Sequence, residues 1–180
     1  MTIPNFITLA RLIAVPVVVW LMIVDRFGAA LILFILAGIS DAVDGFIAKR
    51  FGAASELGAY LDPFADKTLL VSLFVTLGVK GFLPAWLIVA VVSRDFLIIG
   101  AVALSYMLRN PVSIRPIWVS KLNTGAQIIL VGLVLGRAAG FEVFEPAIGP
   151  AIVATAGLTV ISTAAYLVAW LKHMAGGGGS

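Results

Sequence analysis

Residues Ala29–Gly78 read AALILFILAGISDAVDGFIAKRFGAASELGAYLDPFADKTLLVSLFVTLG. Two apolar runs meet across a short polar link, and each carries a pair of aspartates near that link. The pattern predicts one helix over about Ala29 to Arg50 and the next over about Glu56 to Gly78. Asp41 and Asp44 are three apart and Asp62 and Asp66 four apart, so each pair occupies one helical face. A short link makes the two helices antiparallel neighbours, with both pairs at a similar depth. An ionisable group inside an apolar span costs several kcal/mol. Four of them in adjacent helices therefore mark a functional centre.

The rest of the chain places this pair of helices in a membrane. Of 180 residues, 62% are hydrophobic and 12% charged, where a soluble domain carries about 25% charged residues. Apolar runs near the roughly 20 residues that span a bilayer core recur along the chain. The expected spans are Ile3 to Val24, Ala29 to Arg50, Glu56 to Gly78, Ala85 to Leu108, Trp118 to Leu135 and Ala151 to Leu171. Gly136 to Pro150 is expected as a loop. The opening IPNFITLARL is only half apolar and is expected to lie in the interface before the first span, with Pro16 a possible kink. The expectation is an all-α polytopic membrane protein of six transmembrane helices, one domain over residues 1–175. Residues 176–180, GGGGS, read as the remnant of an engineered flexible linker.

Charge and residue usage narrow the function. The net charge is +3 and the twelve Lys and Arg are scattered, which argues against nucleic acid as a partner. There is no cysteine and one histidine, His173, so a zinc site is excluded. Lys and Arg concentrate on the side of the termini and even-numbered connections: Arg11, Lys49, Arg50, Arg109, Arg115, Lys121 and Lys172. By the positive-inside rule both termini and the aspartates' end are expected in the cytoplasm. Trp20, Trp86, Trp118 and Trp170 fall near span ends, as interfacial belt residues do. No presequence pattern is read at the N-terminus, and a bacterial inner membrane is the expected location.

Four converging carboxylates repel one another. Partial protonation, pairing with Lys49, Arg50 or Lys67, or divalent cations would each relieve that repulsion. Oxygen-only donors select hard cations such as Mg²⁺ or Mn²⁺, and two cations in one nest suit phosphoryl chemistry. Gly45, Ala48 and Gly58 lie beside the aspartates, where small side chains let a ligand approach the backbone or helices pack closely. An ion or proton pathway built on the aspartates is the reading from a different functional class.

From Asp41 the chain reads DAVDGFIAKRFGAASELGAYLDPFAD. This closely resembles the signature of the CDP-alcohol phosphotransferases, D-x2-D-G-x2-A-R-x8-G-x3-D-x3-D. One position departs from it: Lys49 stands at the arginine, with Arg50 next to it, so the charge is kept and the bidentate fork is lost. The resemblance implies a six-helix membrane homodimer with a site open to the cytoplasmic leaflet. It implies that Asp41, Asp44, Asp62 and Asp66 hold the metal ions, and that Asp66 is the base that deprotonates the acceptor alcohol. It implies that Gly45, Ala48, Lys49 and Gly58 form the cytidine diphosphate site. The implied reaction is attack of an alcohol on the lipid-side phosphorus, expelling CMP.

Further segments resemble one branch of that family. IPNFITLARL, ISDAVDGFIAKR, VSRDFLIIGAV and WVSKLNTGAQIILV look like the mitochondrial-type cardiolipin synthases, which join CDP-diacylglycerol to phosphatidylglycerol. The competing branch makes phosphatidylglycerophosphate from glycerol 3-phosphate and usually carries further arginines in the fourth helix. Here that region reads Ser93, Arg94, Asp95, then FLIIGAVAL. A compact dianionic acceptor needs more cations than that; a lipid with one phosphate charge needs fewer. Arg94, with Arg115 and Lys121 at the pocket mouth, is the expected acceptor-binding set. An ion pair and an interfacial anchor are the structural alternatives for Arg94 and Lys121.

Overall fold

The computed structural model describes residues 3–51, 56–107 and 118–176, with side chains described over 10–40, at 43, and over 67–101 and 118–174. Every regular element among them is helical. The helices are α1 (Ile3–Ile23), α2 (Phe27–Phe51), α3 (Glu56–Val79), α4 (Ala85–Met107), α5 (Trp118–Ala138) and α6 (Glu145–Gly176), with a single 3₁₀ turn at Glu142–Phe144. Among the described residues, Trp118–Ala138 and the stretch Glu142–Met174 are long and apolar enough to cross a membrane by length and composition. Helix α1 is continuous from Ile3 through Pro16.

Five helices start and stop within a few residues of the expected positions. The sixth begins at Glu145, six residues earlier than the apolar pattern indicated. Pro146 and Pro150 suggested a loop. Pro146 occupies the first turn, where the missing N–H has no intrahelical partner to lose, and an acidic residue there complements the helix dipole. Pro150 enters the second turn at the loss of one backbone bond.

The chain divides into two compact units. The first comprises residues 1–82 and 131–146. Within it α1 packs along both α2 and α3. The packed faces follow helical spacing: Val18 and Met22 on α1, Ala30 on α2, and Leu73, Phe74 and Leu77 on α3 are all fully buried. The outward faces are apolar as well, with Ile32, Ile35, Leu36 and Ile39 exposed on α2. A helix apolar all round calls for an apolar surrounding.

Helix ends fix the directions. At the end of α1, Asp25 N–H bonds Met22 O at 3.2 Å and Arg26 N–H bonds Leu21 O at 2.8 Å. Asp25 takes a left-handed backbone, φ 58°, which Asp tolerates better than most residues. Gly81 (φ 79°) plays the same part after α3 and Gly140 (φ 100°) after α5, closing the last turn of each helix with the same pair of bonds. Lys80, just past α3, then donates to Ile23 O at 2.9 Å and to Asp25 Oδ1 at 2.7 Å. Beside it the rings of Phe27 and Phe82 meet edge to face at 5.2 Å. The C-terminal end of α3 is thereby clasped to the turn between α1 and α2, so α3 runs parallel to α1, and α2 runs opposite to both.

The second unit comprises residues 83–130 and 147–180. Leu87, Val91 and Leu130 are buried there. The buried face of α6 is polar: Thr155, Thr159, Ser162 and Tyr166 recur every three or four residues, each under 10% exposed. Small polar side chains in such rows let helices approach closely and hydrogen-bond across the interface.

Candidate functional site

Two regions bear on the site residues expected from the sequence. The first is the aspartate segment. Asp41 and Asp44 belong to α2, and Asp62 and Asp66 to α3. The clasp at the far end of these helices sets their register. Asp44 is seventeen residues after Phe27 and Asp62 seventeen before Val79, so at 1.5 Å per residue both stand about 25 Å from the clasp. Asp41 and Asp66 are fourteen and thirteen residues from the same ends, about 20 Å away. The four positions thus share one stretch of the helix pair. The side chains of Asp41, Asp44, Gly45, Ala48, Lys49, Gly58, Asp62 and Asp66 lie outside the described residues, as does Arg115.

The second region is a buried polar layer in the second unit, centred on Arg94. Its side chain is 2% exposed. Nη1 donates to Asp95 Oδ1 at 2.5 Å, and Nη2 donates to Ser120 Oγ on α5 and to Ser162 Oγ on α6, the latter at 2.8 Å. The guanidinium also stands 5.7 Å from the centre of the Tyr166 ring, a cation–π distance. One side chain therefore ties α4, α5 and α6 together. Ser120 and Ser162 begin a ladder in which positions rise along α5 as they fall along α6. One turn on, Thr159 Oγ1 donates to Asn123 Oδ1 at 3.0 Å. Gln127 and Thr155, one turn further along each helix, are both buried.

The ladder is incompletely satisfied. Arg94 Nε, Asn123 Nδ2, Gln127 Nε2 and Thr155 Oγ1 are buried with no hydrogen-bond partner among the described residues. An unpaired buried polar group costs about 1–3 kcal/mol, so these four groups work against the packing they belong to. Lys121, by contrast, is exposed on α5, with Nζ 5.2 Å from the Trp118 ring.

Of the side chains singled out in the sequence for acceptor binding, Arg94 sits in this layer and Lys121 at the start of α5. Ser120, Gln127, Thr155, Thr159, Ser162 and Tyr166 were not singled out. Their spacing on α5 and α6, every three or four residues, was the available signal. Its meaning depends on which helices face each other.

Comparison with known proteins bears on both regions. Residues 1–172 match the family model described as CDP-alcohol phosphatidyltransferase. The chain is 35% identical over 180 residues to a probable cardiolipin synthase (CMP-forming) of Drosophila melanogaster, covering 91% of this chain and 56% of the relative. It is 37% identical over 149 residues to the human cardiolipin synthase (CMP-forming), covering 72% and 48% respectively. A probable phosphatidylglycerophosphate synthase of Mycobacterium tuberculosis is 33% identical over 181 residues, covering 96% of this chain and 83% of the relative. The chain thus spans about half the length of these two cardiolipin synthases.

Proposed function

Because this chain belongs to the CDP-alcohol phosphatidyltransferase family, we propose that it transfers the phosphatidyl group of CDP-diacylglycerol to phosphatidylglycerol, forming cardiolipin and CMP. The observation that carries this reading is the aspartate segment, whose two pairs share one level of an antiparallel helix pair. The similarity to CMP-forming cardiolipin synthases supports the choice of acceptor. The family is generally divalent-metal dependent.

In this reading Asp41, Asp44, Asp62 and Asp66 hold Mg²⁺ or Mn²⁺, two ions per site. Bound there, the ions would neutralise pyrophosphate charge and stabilise the departing phosphate. Gly45, Ala48, Lys49 and Gly58 receive the cytidine diphosphate. Asp66 accepts the proton of the acceptor hydroxyl. The hydroxyl oxygen bonds the lipid-side phosphorus as the phosphorus–oxygen bond to CMP breaks, and CMP leaves with the electron pair. Arg94, Arg115 and Lys121 bind the acceptor phosphate, Arg94 through Nε, which has no hydrogen-bond partner among the described residues. Six spans, cytoplasmic termini, a homodimer and a bacterial inner membrane complete the proposal.

A second reading keeps the mechanism and changes the acceptor to glycerol 3-phosphate. The mycobacterial relative favours it, since the match covers 83% of that protein. Mass spectrometry of products separates the two. The purified chain receives CDP-diacylglycerol with Mg²⁺ or Mn²⁺, and each acceptor is supplied alone. Cardiolipin formed from phosphatidylglycerol supports the first reading, and phosphatidylglycerophosphate formed from glycerol 3-phosphate instead establishes the second. Absence of CMP release across a wide panel of alcohols would rule out both.

A further inference from the structure

Helix α1 buries one stripe among its described residues. Arg11, Val15, Val18 and Met22 are each under 10% exposed, while Ala10, Leu12, Ile13, Pro16 and Val17 beside them are exposed. Steps of four, three and four residues put the four buried side chains on one helical face, in a helix that packs along α2 and α3. Arg11 was expected among the charges of the cytoplasmic side. Instead it is 3% exposed and continues an apolar stripe.

The buried stripes of the two neighbouring helices run towards the same place. On α2, Ala30, Phe34 and Ala37 are buried, and the next steps of four and three residues reach Asp41 and Asp44. On α3, Leu77, Leu73 and Leu70 are buried, and two further steps of four residues reach Asp66 and Asp62. Height agrees with face. Arg11 is twelve residues before Ile23, about 18 Å from the clasp, and Asp41 and Asp66 stand about 20 Å from it. Axes of packed helices lie about 8–10 Å apart, so Arg11 and the aspartate positions share one layer of the first unit.

Arginine stays charged in proteins, and buried charges are paired. The remaining acids stand elsewhere. Asp25 is bonded to Lys80 at the clasp, Glu56 opens α3 ten residues before Asp66, and Glu142 and Glu145 are exposed. Asp95 belongs to the second unit, bonded to Arg94. That leaves the four aspartates as the counter-charge of Arg11. Lys67 stands at the same height but is only half-buried.

We infer that Arg11 is the resident cation of the aspartate centre, and that its charge opposes entering divalent ions and so limits how tightly the free chain holds them. The inference rests on the metal reading proposed above. It adds a residue outside the sequence signature, on a third helix, that weakens metal binding instead of creating it. At about 10 Å, with an effective dielectric of about 20 and a Debye length of about 10 Å, one unit charge changes the affinity for a divalent ion about tenfold.

The test measures Mn²⁺ binding to the full chain in detergent micelles, without nucleotide or acceptor, from the electron paramagnetic resonance signal of the free ion. Arg11→Gln should tighten binding about tenfold, and Arg11→Lys, which keeps the charge, should stay near the parent. A side chain that only holds helices in place gives the opposite sign, because its loss loosens the four positions and weakens the metal. Weaker or unchanged binding in Arg11→Gln would therefore overturn the inference, as would Arg11→Lys behaving like Arg11→Gln. Arg11→Met, whose stem suits the apolar stripe, carries the same expectation if the glutamine variant does not fold. Failure of both to fold in saturating Mn²⁺ would make Arg11 a packing residue and overturn the inference as well. Asp41→Asn separates the two levels of the argument. A parent that binds no Mn²⁺, or binds it unchanged after Asp41→Asn, removes the metal reading and this inference with it. Binding weakened by Asp41→Asn but not tightened by Arg11→Gln removes the inference alone.

Discussion

Replacing Arg94 by methionine removes a side chain that is 2% exposed and bonded to three helices' worth of partners: Asp95 on α4, Ser120 on α5 and Ser162 on α6. Methionine keeps much of the stem volume, so the loss is electrostatic rather than a cavity. Breaking a buried ion pair from one side costs about 3–5 kcal/mol, because the remaining charge stays buried. The two hydroxyl bonds add less, since bonds between membrane helices average about 0.6 kcal/mol each. The expected destabilisation is therefore about 4 kcal/mol, set mainly by Asp95, which is 6% exposed. Arg94→Met with Asp95→Leu should recover most of it, since removing both members of a buried pair is often neutral. The assay is denaturant titration in detergent micelles, followed by far-ultraviolet circular dichroism. A single variant within about 1 kcal/mol of the parent would show that Arg94 does not hold the three helices. So would a double variant no better than the single one.

The other predictions concern the aspartates, the ladder and one close approach. Asp66→Asn should abolish CMP release while nucleotide still binds in the presence of metal, and retained turnover would remove Asp66 as the base. Asp41→Asn should weaken metal and nucleotide binding together in calorimetric titrations. Gln127→Leu with Thr155→Val removes two buried polar atoms that have no partner among the described residues and should leave stability equal or raise it by about 1–3 kcal/mol; a clear loss would mean those atoms have partners in the membrane. Gly136→Val should destabilise by about 1–3 kcal/mol, read as a lowered melting temperature, because a Cβ there comes within 2.6 Å of the Phe144 ring.

What the sequence made legible follows from which features are anomalous along one strand of text. Charges inside apolar runs stand out, so Asp41, Asp44, Asp62 and Asp66 could be marked without coordinates. Turns announced by Asp25 and by Lys80–Gly81 were readable because those residues interrupt helices locally. The early start of α6 was not, since proline reads as a stop and only its place in the first turns makes it a start. The polar ladder was also hidden. Ser120, Asn123, Thr159 and Ser162 are unremarkable inside their own helices, and only the antiparallel pairing of α5 with α6 turns them into rungs. Arg94 was visible as an ionisable group inside an apolar run, but its ties to Ser120 and Ser162 come from residues 26 and 68 positions away.

The Lys80 clasp also constrains how this chain can change in length. An insertion of one residue between Phe27 and Asp41 would raise that pair by 1.5 Å and turn it by about 100°, carrying it out of line with Asp62 and Asp66. A compensating insertion between Asp66 and Val79 restores the height but turns the second pair as well. Single insertions in either segment should therefore be lethal to the site, and seven-residue insertions made in both together, two near-whole turns, should be the least disruptive. Length variation belongs instead beyond the clasp, at the junction of Phe82 with Pro84, where an added residue leaves the four aspartates level.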